Sequence, residues 1–152
     1  MWLRVFCPTI EEISPARIAS ALNNGGYHVV PHFKGDDLGW TTGELILDDP
    51  TSPLGLARFL TKEDKLRGDL DSYAAELETA THSPHSTALM GRVIRTSQLI
   101  TVRKPVSHSN DALVDRACEF LVKFLATESQ GFYQIDRAGW FEATGELLVE
   151  EY

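Results

Sequence analysis

Residues 2–33 read WLRVFC (2–7), PTIEEI (8–13), SPARIASALNNGG (14–26) and YHVVPHF (27–33), and the fold turns on these four pieces. Trp2–Phe6 is short, aromatic and β-branched, the composition of a strand, and Cys7-Pro8 stops it. Ser14 is placed to cap a helix that opens with Pro15, and Ile13 and Ile18 stand where a hydrophobic staple requires them. Ile18, Ala21 and Leu22 supply an inward stripe, and Asn23-Asn24-Gly25-Gly26 ends it. Tyr27–Phe33, centred on Val29 and Val30, is a second strand. A strand, a helix and a strand in that order predict a right-handed parallel crossover with the helix packed on the sheet.

Outward from this unit, Lys34–Gly39 is turn chemistry, and Glu44–Leu47 is a short strand closed by Asp48-Asp49-Pro50. Leu54–Leu60 is read as a strand. Thr61 with Asp64 three residues on resembles a capping box, and Leu66, Leu70, Tyr73 and Leu77 recur at helical spacing, predicting a helix over 62–79. Ser83-Pro84 interrupts it, His85–Thr96 is helical and Leu99–Arg103 is a strand. The stripe Leu113, Val114, Ala117, Cys118, Leu121, Val122, Phe124 and Leu125 marks a long helix capped by Ser109 or Asn110, with Asp111 near its positive end. Apolar stretches at 132–135, 140–141 and 146–149, separated by turn residues, describe an antiparallel meander. The expected architecture is a single α+β domain over 1–152. It is a two-layer sandwich whose mixed sheet carries an N-terminal β-α-β unit, about three helices and the terminal meander.

The chain has 152 residues, 43% apolar and 24% charged. A body of this mass exposes roughly 7,700 Å² of the roughly 24,500 Å² of its extended chain, enough burial for one core without staples. No run of about 20 apolar residues exists to span a membrane. Fourteen basic against twenty-two acidic residues give a net charge of −8, which disfavours a general nucleic-acid surface. The apolar start is too short for an export signal, and the expected location is cytoplasmic. Cys7 and Cys118 lack the nearby partners of a metal or redox motif and are read as two buried thiols.

Few constellations suggest chemistry. His28 and His32 on one strand stand about 13 Å apart, too far to share a metal ion. Either could join Asp36 or Asp37, and Cys7, in a small hydrolase or metal-dependent site. His82 and His85 bracket a turn without the strained Gly-x-Ser-x-Gly elbow of a nucleophilic serine. The glycines form no phosphate loop, so nucleotide-dependent catalysis is not expected. Paired acids at 11–12, 36–37 and 48–49 are of a kind that more often shapes turns than binds metal. Charge is segregated: residues 79–110 contain no acid but include Arg92, Arg95, Arg103 and Lys104, leaving ten basic and all twenty-two acidic residues, −12, elsewhere. Trp2 and Trp140 fall in strands and are read as core. Trp40 falls in a loop, where a large aromatic either folds back or meets a ligand. The expectation is a non-enzymatic acidic module, regulatory or toxin-neutralising, that binds a protein partner through Trp40, Asp36 and Asp37, with no cofactor and no metal. The rivals are the His/Asp enzyme above and a small-ligand-sensing domain with a sizeable apolar pocket.

Overall fold

The Ser14 side chain accepts a hydrogen bond from the Arg17 amide at 3.2 Å, so helix α1 (Pro15–Asn24) starts at the cap its sequence supplies. In the computed structural model, which describes residues 1–80 and 82–151, α1 follows strand β1 (Trp2–Cys7) and precedes β2 (Val30–Asp36), β3 (Gly39–Ile46) and β4 (Leu54–Leu60). Helices α2 (Arg67–Glu78) and α3 (Ser86–Ile94), strand β5 (Gln98–Arg103), helix α4 (Asp111–Ser129) and strands β6 (Phe132–Ile135), β7 (Gly139–Glu142) and β8 (Leu147–Glu150) complete the order. The α+β class, the N-terminal β-α-β order and the terminal meander are as the sequence predicts.

Three features differ. The eight strands form one sheet in the order β2-β3-β4-β5-β1-β6-β7-β8, and every described pairing is antiparallel, so the sheet is not mixed. β1 and β2 do run the same way, but β3, β4 and β5 lie between them, and the expected parallel pair never forms. Second, the described residues form four helices rather than about three, α2 and α3 being separate elements alongside α1 and α4. Third, helices cover both faces. Alternate residues of β1 separate two cores: Leu3, Val5 and Cys7 pack with α1 and α4, while Phe6 packs with α2 and α3.

Helix α2 begins at Arg67, later than the capping-box reading places it. The Asp64 carboxylate accepts from the Leu60 amide at 2.7 Å, and Thr61 donates to the Thr96 carbonyl at 2.9 Å, so both would-be capping residues tie the end of β4 instead. By contrast, Asn110 caps α4, accepting from the Leu113 amide at 3.1 Å. Helix α4 buries Val114, Ala117, Cys118, Leu121, Val122 and Leu125. It ends on Gln130 in the left-handed region (φ 58°), followed by Gly131, where a Cβ would stand 2.1 Å from the Phe6 carbonyl oxygen. Only glycine lets the chain pass so close to β1 as it enters β6. Among the described residues, no helix is long and apolar enough to cross a membrane.

Candidate functional site

The layer formed by α2 and α3 covers only part of its sheet face. It sits over the apolar group Phe6, Leu99, Phe132 and Trp140, and it stops where the sheet residues turn polar. Strand register lines up what remains open. One row crosses the sheet as His32, Glu44, Gly55, Arg103 and Trp2 from β2, β3, β4, β5 and β1; the next runs Lys34, Thr42, Ala57, Thr101 and Arg4. Small residues of β4 form the floor between long rim residues of the flanking strands. The result is an open groove of about 730 Å³. Gly55 lets the Arg103 side chain lie over the floor, with Nε and Nη2 3.4 Å from the point where a Cβ would be. Trp2 is not the core residue its strand position suggests: it stands beside Arg103 on the uncovered part of the sheet with 42% of its surface exposed, whereas Trp40 and Trp140 are each 3% exposed. The second row ends at Arg4, which pairs with Asp136 at 2.6 Å and lies over the Tyr73 ring of α2. Burial of Asp136 alone would raise its pKa, but the hydrogen bond and charge of Arg4 outweigh this and hold the carboxyl below its usual range.

A second surface lies at the β2–β3 turn. Trp40, the expected partner anchor, is not on it. Its indole N–H donates to the Ile13 carbonyl at 2.9 Å and its ring packs edge-on against Phe33, so it folds back into the core beneath the turn. What reaches solvent is Leu38, 54% exposed, and Ile10, 62% exposed. Arg58, buried in β4, holds both: Nη1 donates to the Leu38 and Trp40 carbonyls at 2.9 and 3.2 Å, and Nη2 to the Ile10 carbonyl at 3.1 Å. Gln98 fixes the same loop by donating to the Thr9 and Glu11 carbonyls, and Glu12 accepts from the Trp40 amide at 2.7 Å. Asp36 accepts from the Leu38 amide at 2.9 Å, the ordinary use of a turn aspartate. Asp36, Asp37 and Glu11 are exposed, and among the described residues no ion pair occupies them.

The residues of the hydrolytic alternative are dispersed. His28 is exposed ahead of β2, His32 lines the groove, and Asp36 and Asp37 belong to the turn. Cys7 is fully buried on the opposite sheet face. Among the described residues no group of three or more His, Cys, Asp or Glu is placed to hold a metal ion. Burial raises the Cys7 thiol to about 11 against the opposing hydrogen bond of Ser129 and charge of Arg58. Burial and Asp115 raise Cys118 to about 12, opposed by Lys104. Neither forms a disulfide. Both thiols should therefore resist a disulfide reagent at pH 8 in the native state and react at once in denaturant; rapid modification of either in the folded protein would contradict this burial.

The acid-free segment is partly neutralised within the fold: Arg92 pairs with Glu142 at 2.5 Å and Lys104 with Asp115 at 2.6 Å. Among the described residues no ion pair holds Arg103, and it faces the groove. Sequence reading missed Trp2, Lys34, Glu44 and Arg103 as groove residues, and Ile10, Leu38 and Arg58 at the turn. A signal was present in the alternation of Leu54 and Leu56 with Gly55 and Ala57, and of Ile100 and Val102 with Thr101 and Arg103, but only pairing shows that these faces coincide. No protein-family model, no curated protein and no solved structure matches this chain.

Proposed function

We propose that the protein is a non-enzymatic binding module, of a regulatory or toxin-neutralising kind, whose acidic tip docks on a basic surface of a protein partner. One observation supports this above the others: a single buried guanidinium, bonded to the Ile10 and Leu38 carbonyls, holds two residues whose large apolar side chains stand in solvent among carboxylates that no ion pair among the described residues neutralises. Exposed apolar groups rimmed by charge are the composition of a contact patch. The carboxylates would steer a basic partner and the apolar pair would hold it, so association should slow as salt rises. Trp40 contributes as the support under the patch, not as the anchor.

The test is a side-by-side capture from the source cells with the wild-type protein and an Ile10→Ser/Leu38→Ser variant, followed by titration of each recovered partner in purified form. The expected result is a basic partner whose affinity falls at least about tenfold in the variant and whose association rate falls with salt. Equal recovery and equal affinity for the two forms would overturn the reading. So would a partner whose binding is indifferent to salt.

A further inference from the structure

We propose that the open groove between β2 and β1 is a binding site for a nucleoside monophosphate, a planar base joined through a sugar to one phosphate group. This surface is separate from the acidic tip and does not depend on it. Size comes first. A volume of about 730 Å³ falls within the range of about 300–1,000 Å³ typical of small-ligand sites. Charge comes next. In a protein of net charge −8, Lys34 and Arg103 both face this groove, and among the described residues neither is held in an ion pair. Their strands are three spacings apart, about 14 Å, and their rows two residues apart, about 7 Å, so the backbones stand about 16 Å from each other, a span that two long side chains close over the small residues of β4 when an anion lies between them. An anion resting above Gly55 and Ala57 would be held from both sides, and the forked guanidinium of Arg103 suits the oxygens of a phosphate.

The rim specifies the rest. Trp2 offers a half-open indole next to Arg103, a stacking surface for a planar ring. Across the floor in the same row, the Glu44 carboxylate can accept from a ring N–H or an exocyclic amine, and the Thr42 and Thr101 hydroxyls lie in the adjoining row. A ring with amino donors is therefore favoured over a bare anion, which Glu44 would repel. A nucleic-acid strand is disfavoured because the remaining surface is acidic. The chain has no glycine-rich phosphate loop, so side chains would hold the phosphate, and the inference is one of binding.

Tryptophan fluorescence tests it, because Trp40 and Trp140 are shielded and quenching by a ligand in the groove reports Trp2. The probes are AMP, GMP, inorganic phosphate and a pentaglutamate peptide, added to the wild type and to Arg103→Met, Lys34→Met and Trp2→Phe, each first checked by circular dichroism and thermal melting. AMP or GMP should quench saturably. Arg103→Met and Lys34→Met should each weaken that binding about tenfold or more, the scale of a lost charge-assisted contact, and Trp2→Phe should abolish the signal. Lack of saturation below about 5 mM for both nucleotides would overturn the proposal, as would undiminished affinity in folded Arg103→Met. Phosphate binding as tightly as the nucleotides would mean an adventitious ion only. Equal binding of pentaglutamate would reassign the groove to acidic peptides.

Discussion

Trp40→Ala should cost about 3–5 kcal/mol of folding stability, the range for deleting a large buried aromatic. The side chain is 3% exposed, packs on Phe33 with ring centroids 5.0 Å apart, and satisfies the Ile13 carbonyl with its indole N–H. Both the packing and the hydrogen bond disappear together. For a domain whose total stability is of the order of 5–15 kcal/mol, this should lower the melting temperature by about 10 °C. Trp40→Phe separates the two contributions: it keeps most of the ring and leaves the Ile13 carbonyl without its donor, for a loss of about 1–3 kcal/mol. Urea unfolding followed by far-ultraviolet circular dichroism measures both. An alanine variant within about 1 kcal/mol of the wild type would show that the ring is not part of the core. Any loss of partner binding in Trp40→Ala should accompany a loosened 8–13 loop, since the ring meets that loop and not the solvent.

The same residue shows where the sequence stops being legible. Trp40 lies at the start of β3, not in the loop its neighbours Gly39 and Thr41 suggest, and those neighbours are compatible with either outcome, folding back or facing a partner. What decides is the carbonyl of Ile13, twenty-seven residues away. Helices α1 and α4 were readable because their caps and stripes are local: Ser14 and Asn110 bond to amides three residues on. The Thr61/Asp64 pair has the right spacing for a cap but fails, because the carboxylate takes the Leu60 amide and the hydroxyl the Thr96 carbonyl. Strand order was illegible for a related reason. The β-α-β order predicts a parallel neighbour, yet β5, arriving some ninety residues later in sequence, takes the place beside β1. The groove inherits this limit. His32, Glu44, Gly55, Arg103 and Trp2 share a row only through four successive registers, and a one-residue slip in any of them would turn part of the row to the other face.

Arg58→Met should be about as damaging, at about 3 kcal/mol or more, although it replaces a buried charge with an apolar chain of similar length. Arg58 is 5% exposed and donates to the Gln98 side-chain oxygen and to the carbonyls of Leu38, Trp40 and Ile10. Methionine relieves the desolvation of the guanidinium, which by itself favours the variant. Against this, the bonds to Gln98 and to the Trp40 carbonyl are buried, and each acceptor left without a donor costs about 1–3 kcal/mol. The loss is expected to win because the acceptors belong to three separate segments, the 8–13 loop, the β2–β3 hairpin and β5, and among the described residues no other side chain bonds to the Ile10 and Leu38 carbonyls. Arg58→Lys should recover only part of the stability, since one ammonium cannot span four acceptors. Denaturant midpoints rank the three proteins, and exchange of the Trp40 indole proton follows the loop directly: it should accelerate in Arg58→Met even under conditions where the variant remains folded. Equal stability of Arg58→Met and the wild type, with indole exchange unchanged, would mean that the loop and turn are held by apolar contact alone. The apolar pair at the tip would then owe its position to something other than this guanidinium.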